Sequence, residues 1–514
     1  MILGDPHAAH IQSGDRATLD DLFRNAAARR PDAIALCDPP NRASFTDGEP
    51  RRLNYAQTDH IVSAIAGRLR RLGLSTDAVI ALQLANTVES ALALLGVLRA
   101  GMIAAPLPLL WRRAEAVPAL NRVGAKVILT TARVGAADHC DLAMKVAADV
   151  FPVRYVCVFG AGLPDGVIPF DDLLSAVPLL DPVAPIERAH NPAAHVAVVT
   201  FETTPDGLVA VGRNHMELMA GGLAVLLEGG IKQDAVILAS STSSSLSGLA
   251  LAMLPWLLTG GTLSLHQPFD PDVFAQQCRD DGCDTVVVPG ALLPSFAGAE
   301  LLTHPQLRNV LAVWHAPERT PFNVSWQHPT ASLTDVHVFG EIALFAARRT
   351  PGGGPAAIPL GLVSAPRGAA GAATIAETAL TETGTLALRG PMVPRYPFPP
   401  GSERRAAPCL QPDDAGFIDT LYPCRADADT GTMAVTGPPP GIVGVGGYRF
   451  VLDQLQELVG RTEGGAVLAA LPDTLAGNRL AGSAADRAAM RQALDALGVN
   501  PLVAGAFQDR RRSA

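Results

Sequence analysis

The first third of the chain alternates short, branched, apolar runs with longer stretches of helical spacing. Residues 78–84 (Ala78-Val-Ile-Ala-Leu-Gln-Leu84) are too few for a helix and suit a buried strand. Before them, Ile61, Ile65 and Leu69 recur at helical spacing over 55–72, and Gly73 follows as a left-handed cap would require. After them come a helical stretch over 88–100, closed by Gly101, and a second strand-like run over 102–107. The rhythm continues through 126–130, a helical 136–148 and 153–159. Strand–helix–strand alternation of this kind predicts an α/β layer fold with largely parallel sheets. Thr18-Leu-Asp-Asp21 reads as a capped helix start, with Leu19, Leu22, Phe23 and Ala26 on one face.

From Val196 the pattern resets, with a strand over 196–200, a polar loop and a helix over about 214–227. Further strands are expected at 237–239 and 284–288, flanking an apolar helix at 249–258. That helix lies in the longest apolar stretch, 248–265, which Pro255 and Gly260-Gly261 interrupt; a helix, turn and strand suit it better than a membrane span. After Thr350 the chain becomes rich in Gly and Pro, and β-type segments follow at 384–388 and 432–435. Three regions are therefore expected. An α/β body spans 14–350, a β-rich subdomain of the same body spans 351–437, and a small, shortened α+β domain spans 441–514. Pro438-Pro439-Pro440 is the linker candidate before the last of these, because prolines restrict their own and each other's backbone, and the last region has room for one strand pair and a couple of helices.

Composition narrows the function classes. With 48% hydrophobic and 17% charged residues over 514, large cores can form and global disorder is excluded. A net charge of -9 without a basic run argues against nucleic acid as the main partner. The seven cysteines are scattered without a C-x-x-C spacing and read as reduced thiols. Residues 1–13 lack a basic start followed by an apolar run, so no export signal is visible and a cytoplasmic location is expected.

Three stretches carry a family resemblance. The first runs from Leu53-Asn-Tyr-Ala56 through Ala85-Asn-Thr-Val-Glu89 to Ala100-Gly-Met-Ile-Ala-Ala-Pro106. The second is Gly384-Thr-Leu-Ala-Leu-Arg-Gly-Pro391, with Tyr396 after it. The third is Gly431-Thr-Met-Ala-Val-Thr-Gly437 followed by Val443-Gly-Val-Gly-Gly-Tyr-Arg-Phe450. In order and content they resemble the AMP-forming acyl-CoA synthetases of the adenylate-forming superfamily, over about 18–459. The resemblance implies a ligase joining a carboxylic acid to ATP with Mg²⁺, then transferring the acyl group to CoA. Such chemistry needs a Gly-rich phosphate loop, a carboxylate for the metal, and lysines against developing charge.

The residues at those stations depart from that pattern. Where relatives carry Thr-Ser-Gly-Thr-Thr-Gly-x-Pro-Lys-Gly, this chain has the shorter Thr200-Phe-Glu-Thr-Thr-Pro-Asp-Gly207. Thr203, Thr204 and Gly207 remain as nucleotide-binding candidates. Glu202 stands for a glycine and Asp206 for the lysine. At about 4 Å and an effective dielectric near 20, a charge pair is worth about 4 kcal/mol, so that exchange turns attraction for a phosphate into repulsion. The segment is otherwise an ordinary strand–loop–helix connection. Ser245 stands where relatives carry a histidine, in a serine-rich stretch that reads as a polar loop or a set of phosphate hydroxyls.

Further along, Trp314 and His315 replace the glycines of a Gly-Gly-Ala-Pro turn. Phe339 and Gly340 keep an aromatic nucleotide platform, while Ile342 and Ala343 stand in for a hydroxyl donor and the metal carboxylate. Glu341 lies two positions early, so no metal ligand and no catalytic residue is assigned. Asp419 is the ribose candidate after a register shift, or else a turn residue, with Tyr422 at the expected place. Gly446, Gly447, Tyr448 and Arg449 resemble the passage for the CoA arm; Arg449 would hold a CoA phosphate or serve as a structural arginine. Asn478 stands for the last family lysine. Only Lys126, Lys145 and Lys232 are lysines, against 37 arginines, and none falls at either lysine station.

Two functions follow from this reading. One is an acyl-CoA synthetase-like ligase with impaired or absent turnover. The other is a non-catalytic relative binding an acyl or CoA-type ligand or a partner protein.

Overall fold

A computed structural model describes residues 16–175, 183–184, 186–298, 304–320, 326, 328–395, 398–399 and 411–508. Tyr396, Cys409 and the 1–13 stretch lie outside them.

The expected alternation folds into two large sheets. The first orders its strands Gly207–Asn214, Val196–Thr204, Ile103–Pro106, Val79–Gln83, Val127–Thr131, Tyr155–Phe159 and Ile168–Pro169. All neighbours are parallel except the first two, which form an antiparallel hairpin. The second has eight strands, with a parallel centre built from Val236–Ala239, Thr262–Leu265, Thr285–Pro289, Asn309–Trp314 and Ser332–Phe339. Val79–Gln83 and Asn309–Trp314 are buried throughout, as strands covered on both faces must be, which explains their near-continuous apolar sequence.

The helices sit where the spacing places them. Tyr55–Arg71 buries Ile61, Ile65 and Leu69, and Gly73 follows in the left-handed region at φ +70°. Thr18 and Asp21 form a reciprocal capping box on Leu19–Arg29. The apolar 248–265 stretch becomes a buried helical segment through Leu254–Thr259 and then the strand Thr262–Leu265. Among the described residues, no helix is long and apolar enough to cross a membrane.

Behind the body lies a six-stranded antiparallel sheet running from Ile358–Pro359 to Thr432–Val435 in chain order, the β-rich region expected from composition. The tail after Pro440 differs from expectation by holding two strand pairs. They are the hairpin Ile442–Val445/Tyr448–Val451 and the ribbon Val467–Asp473/Gly477–Ser483. The first was hidden because its strands have four residues each and are flanked by glycines.

The larger departure is at 200–214. The expected polar loop does not exist: Val196–Thr204 runs on into a tight turn, and Gly207–Asn214 returns beside it, with pairing from Thr204↔Gly207 to Val196↔Asn214. Pro205-Asp206 form the two-residue tip, and Gly207 takes φ +114°. Pro-Asp-Gly between two β-rich runs is a turn sequence in its own right.

Candidate functional site

The crevice between body and tail brings together the Pro205-Asp206 hairpin, the turn after Ser332–Phe339, strand Ile418–Asp427 and the tail hairpin. Glu202, in strand Val196–Thr204, is 3% exposed. One of its carboxylate oxygens accepts from the Glu341 backbone N–H and the other pairs with the Arg449 guanidinium. Thr203 Oγ donates to the Arg449 carbonyl at 3.4 Å, and Thr204 Oγ donates to the Gly207 carbonyl at 2.8 Å. Asp206 is exposed at the tip. Ladder pairing also covers this segment, from Glu202↔Val209 to Thr204↔Gly207.

Gly340 sits at φ +56° in the turn between Ser332–Phe339 and Ala343–Arg348, and a Cβ there would collide with the Glu202 carboxylate and the Arg449 guanidinium. Phe339 is buried and meets Tyr422 edge-on, with ring centroids 5.3 Å apart. Arg449 lies over the Tyr422 ring, 5.8 Å from its centroid. Burial pushes the Tyr422 hydroxyl up to about 12, so it stays protonated.

Glu341 does not continue an extended strand; it lies in the turn, and its carboxylate accepts from the Leu246 N–H at 2.7 Å, at the start of a helical segment. Burial pushes its carboxyl up to about 7; Arg213 opposes that shift and Glu202 adds to it. Arg213 is itself buried, donating to Thr200 Oγ at 3.4 Å, to the Ile342 carbonyl at 3.1 Å and to the Glu341 carbonyl. Its Nε has no hydrogen-bond partner. Sequence reasoning missed Arg213 altogether. The one available signal was an arginine interrupting a β-type run, and the loop expectation masked it.

The other stations are filled or committed. Ile342 and Ala343 are core residues at 3% and 1% exposure. Trp314 packs against Gly290, where a Cβ would strike the indole, and donates to Asp335 at 2.8 Å. Asp335 is also bound by Arg349 in a buried pair. In the serine run, Ser245 caps the following helical turn and pairs with Ser247 at 2.9 Å, while Thr242 and Ser244 pair at 2.8 Å. Asp419 accepts from the Leu421 N–H at 2.8 Å and so supports a local turn in which Leu421 has φ +62°.

Gly446 and Gly447 are the two-residue turn of the tail hairpin, at φ +56° and +88°, values that favour glycine. Gly447 rests against the His315 ring. Tyr448 OH accepts from Leu110 N–H at 3.2 Å. Asn478 donates to the Gly444 carbonyl at 3.0 Å and accepts from Arg319 at 2.8 Å. A separate contact joins Ala114 N–H to the Gly498 carbonyl and Asn500 N–H to Glu115, each at 2.8 Å. The structure thus gathers Glu202, Thr203, Phe339, Gly340, Tyr422 and Arg449 at one place, and leaves Asp206 at its rim.

The sequence model of the AMP-binding enzyme family matches residues 23–388. Among curated proteins, the chain is 33% identical over 144 residues to the salicyl-AMP ligase / salicyl-S-ArCP synthetase of Mycobacterium tuberculosis, covering 28% of this chain and 24% of that protein. It is 34% identical over 122 residues to the medium-chain fatty-acid–CoA ligase of Escherichia coli, covering 23% and 20%. It is 26% identical over 286 residues to the bovine long-chain fatty acid transport protein 1, covering 54% and 41%. The matches therefore span less than half the length of each of these relatives. Among solved structures, an artificially fused adenylation–PCP di-domain from Klebsiella oxytoca shares the fold at a TM-score of 0.65 and 17% identity, over 96% of this chain and 85% of that one.

Proposed function

The chain belongs to the AMP-binding enzyme family, and from that premise we propose that it has lost ATP-driven turnover and works as a binding or assembly protein. The observation that carries this reading is the closed hairpin of Thr204 and Gly207 with Glu202 beneath it. A phosphate cradle needs backbone N–H groups that point at the ligand and are not already paired. In a hairpin alternate N–H groups point into the ladder and are already paired, and here both threonine hydroxyls donate to carbonyls. Glu202 already supplies an anion to the Glu341 N–H and to Arg449, leaving a nucleotide phosphate to compete with a built-in carboxylate.

The residues present do not fit Mg²⁺ and ATP at the family stations. Ala343 is apolar core where the resemblance expects a metal carboxylate, and Trp314 fills space where it expects glycine. Arg449 faces Glu202 and is spoken for as a CoA phosphate ligand. The second reading, a carboxylic acid–CoA ligase using ATP, Mg²⁺ and CoA, is favoured by the likeness to a medium-chain fatty-acid–CoA ligase and by the retained Phe339-Gly340 turn. Calorimetric titration of the full chain with Mg-ATP separates the two. No saturable heat at millimolar nucleotide is expected; saturable, Mg²⁺-dependent binding would sink the proposal.

A further inference from the structure

Arg449 belongs to the tail, but the groups that receive its guanidinium belong to the body. Glu202 takes the ion pair, and the Glu341 N–H holds the other carboxylate oxygen independently of the tail. The Tyr422 ring lies 5.8 Å from the guanidinium carbon, and Phe339 backs that ring edge-on. Gly340, at φ +56°, leaves open the space where a Cβ would strike both Glu202 and Arg449. A fixed carboxylate, an aromatic face and a wall without a side chain together suit a planar cation. Arg213, the other cation near Glu202, is committed to Thr200, Glu341 and Ile342.

A further acceptor near the same guanidinium is open. Glu318 lies in the short helical turn after strand Asn309–Trp314, with its side chain 10% exposed. Its Oε1 stands 3.9 Å from Arg319, and its buried Oε2 has no hydrogen-bond partner. Burial raises the Glu318 pKa, and its own backbone N–H, Arg319 and Arg449 oppose the rise. A buried acceptor without a donor is costly, and a ligand N–H placed there would be stabilised. The tail has other attachments: Tyr448 OH accepts from Leu110 N–H at 3.2 Å, and Asn478 accepts from Arg319 at 2.8 Å. We propose that the body crevice is a binding site for a guanidinium group and that Arg449 is its built-in occupant, an autoinhibitory contact that an external guanidinium displaces. A free guanidine compound and the arginine side chain of a peptide share this chemistry. The assignment rests on the crevice being a binding site, and the two claims fail separately. Saturable Mg-ATP heat would sink the binding reading, whereas loss of the guanidinium effect sinks only this occupant.

The test is chemical rescue of the full-length Arg449→Ala variant, read by thermal shift. Ethylguanidinium chloride should bind in the millimolar range that so small a fragment allows. Near saturation it should raise the melting temperature by about 1–3 °C. Ethylammonium should bind about ten-fold more weakly, because it lacks the planar fork. The wild type should need about ten-fold more ethylguanidinium, since its own occupant is tethered. Glu202→Gln/Arg449→Ala should show no shift. N-acetylargininamide in place of ethylguanidinium separates the two sources, the tighter binder naming a peptide side chain or a free compound. Should Arg449→Ala not fold, its refolding yield from urea in each of the two cations gives the same comparison. No effect of ethylguanidinium, an equal effect of ethylammonium, equal affinity for the wild type, or an undiminished effect on the double variant would overturn the proposal.

Discussion

Arg449 reaches across 247 residues of chain to pair with Glu202, and Gly340 lies against both partners with no room for a side chain. This contact fastens the tail hairpin to the strand that carries the hairpin turn. Removing Arg449 should leave Glu202, 3% exposed, short of its cation. Arg449→Ala is expected to cost about 3–5 kcal/mol, because breaking a buried pair from one side strands the other charge. Glu202→Gln should cost less, since the Arg449 side chain is 18% exposed and can turn to water. In urea unfolding the double variant should reveal a coupling above about 1 kcal/mol. Additive losses would mean the pair is incidental.

Gly340 offers an independent probe. Gly340→Ala places a Cβ at a left-handed φ and into the ion pair, and should destabilise by at least about 2 kcal/mol. Gly207→Ala meets no neighbouring atom within 4 Å and should cost only the backbone penalty, about 1 kcal/mol. Thermal melting of the two variants side by side reads the difference.

Much of the fold was legible because buried parallel strands and their helices write period and length directly. Ile61, Ile65 and Leu69 predicted Tyr55–Arg71, and 78–84 predicted Val79–Gln83. The site was less legible. Comparing 200–207 with a loop of another length suggested a loop, while the local chemistry of Pro205-Asp206-Gly207 between β-rich runs pointed to a hairpin. The Glu202–Arg449 pair was out of reach, since which charges meet across hundreds of residues depends on tertiary packing, not on periodicity. Glu341 lies in a turn because its neighbour Gly340 takes a conformation few residues adopt.

Asp206 stands at the lysine station but at an exposed hairpin tip. Asp206→Lys should therefore change stability by less than about 0.5 kcal/mol and restore no nucleotide activation. Gain of pyrophosphate exchange in that variant would show that charge alone, and not loop geometry, had been lost.

Glu341 should shape the pH dependence of stability. Its carboxyl is raised from 4.5 to about 7 in the folded chain, so the folded state binds the extra proton. Its contribution is thus full below about pH 4.5 and is lost as pH rises towards 7. Glu341→Gln removes that loss. Across this window the stability of the wild type relative to the variant should fall by roughly 3 kcal/mol at most. Urea unfolding at a series of pH values checks it; a difference that stays flat or rises would contradict the assignment.

The most direct test of the account is ATP–pyrophosphate exchange by the full-length chain with Mg²⁺ and a panel of aliphatic and aromatic carboxylic acids. The closed hairpin and its resident carboxylate predict no exchange above the protein-free control with any acid. Robust, acid-dependent and Mg²⁺-dependent exchange would contradict it and restore the ligase reading.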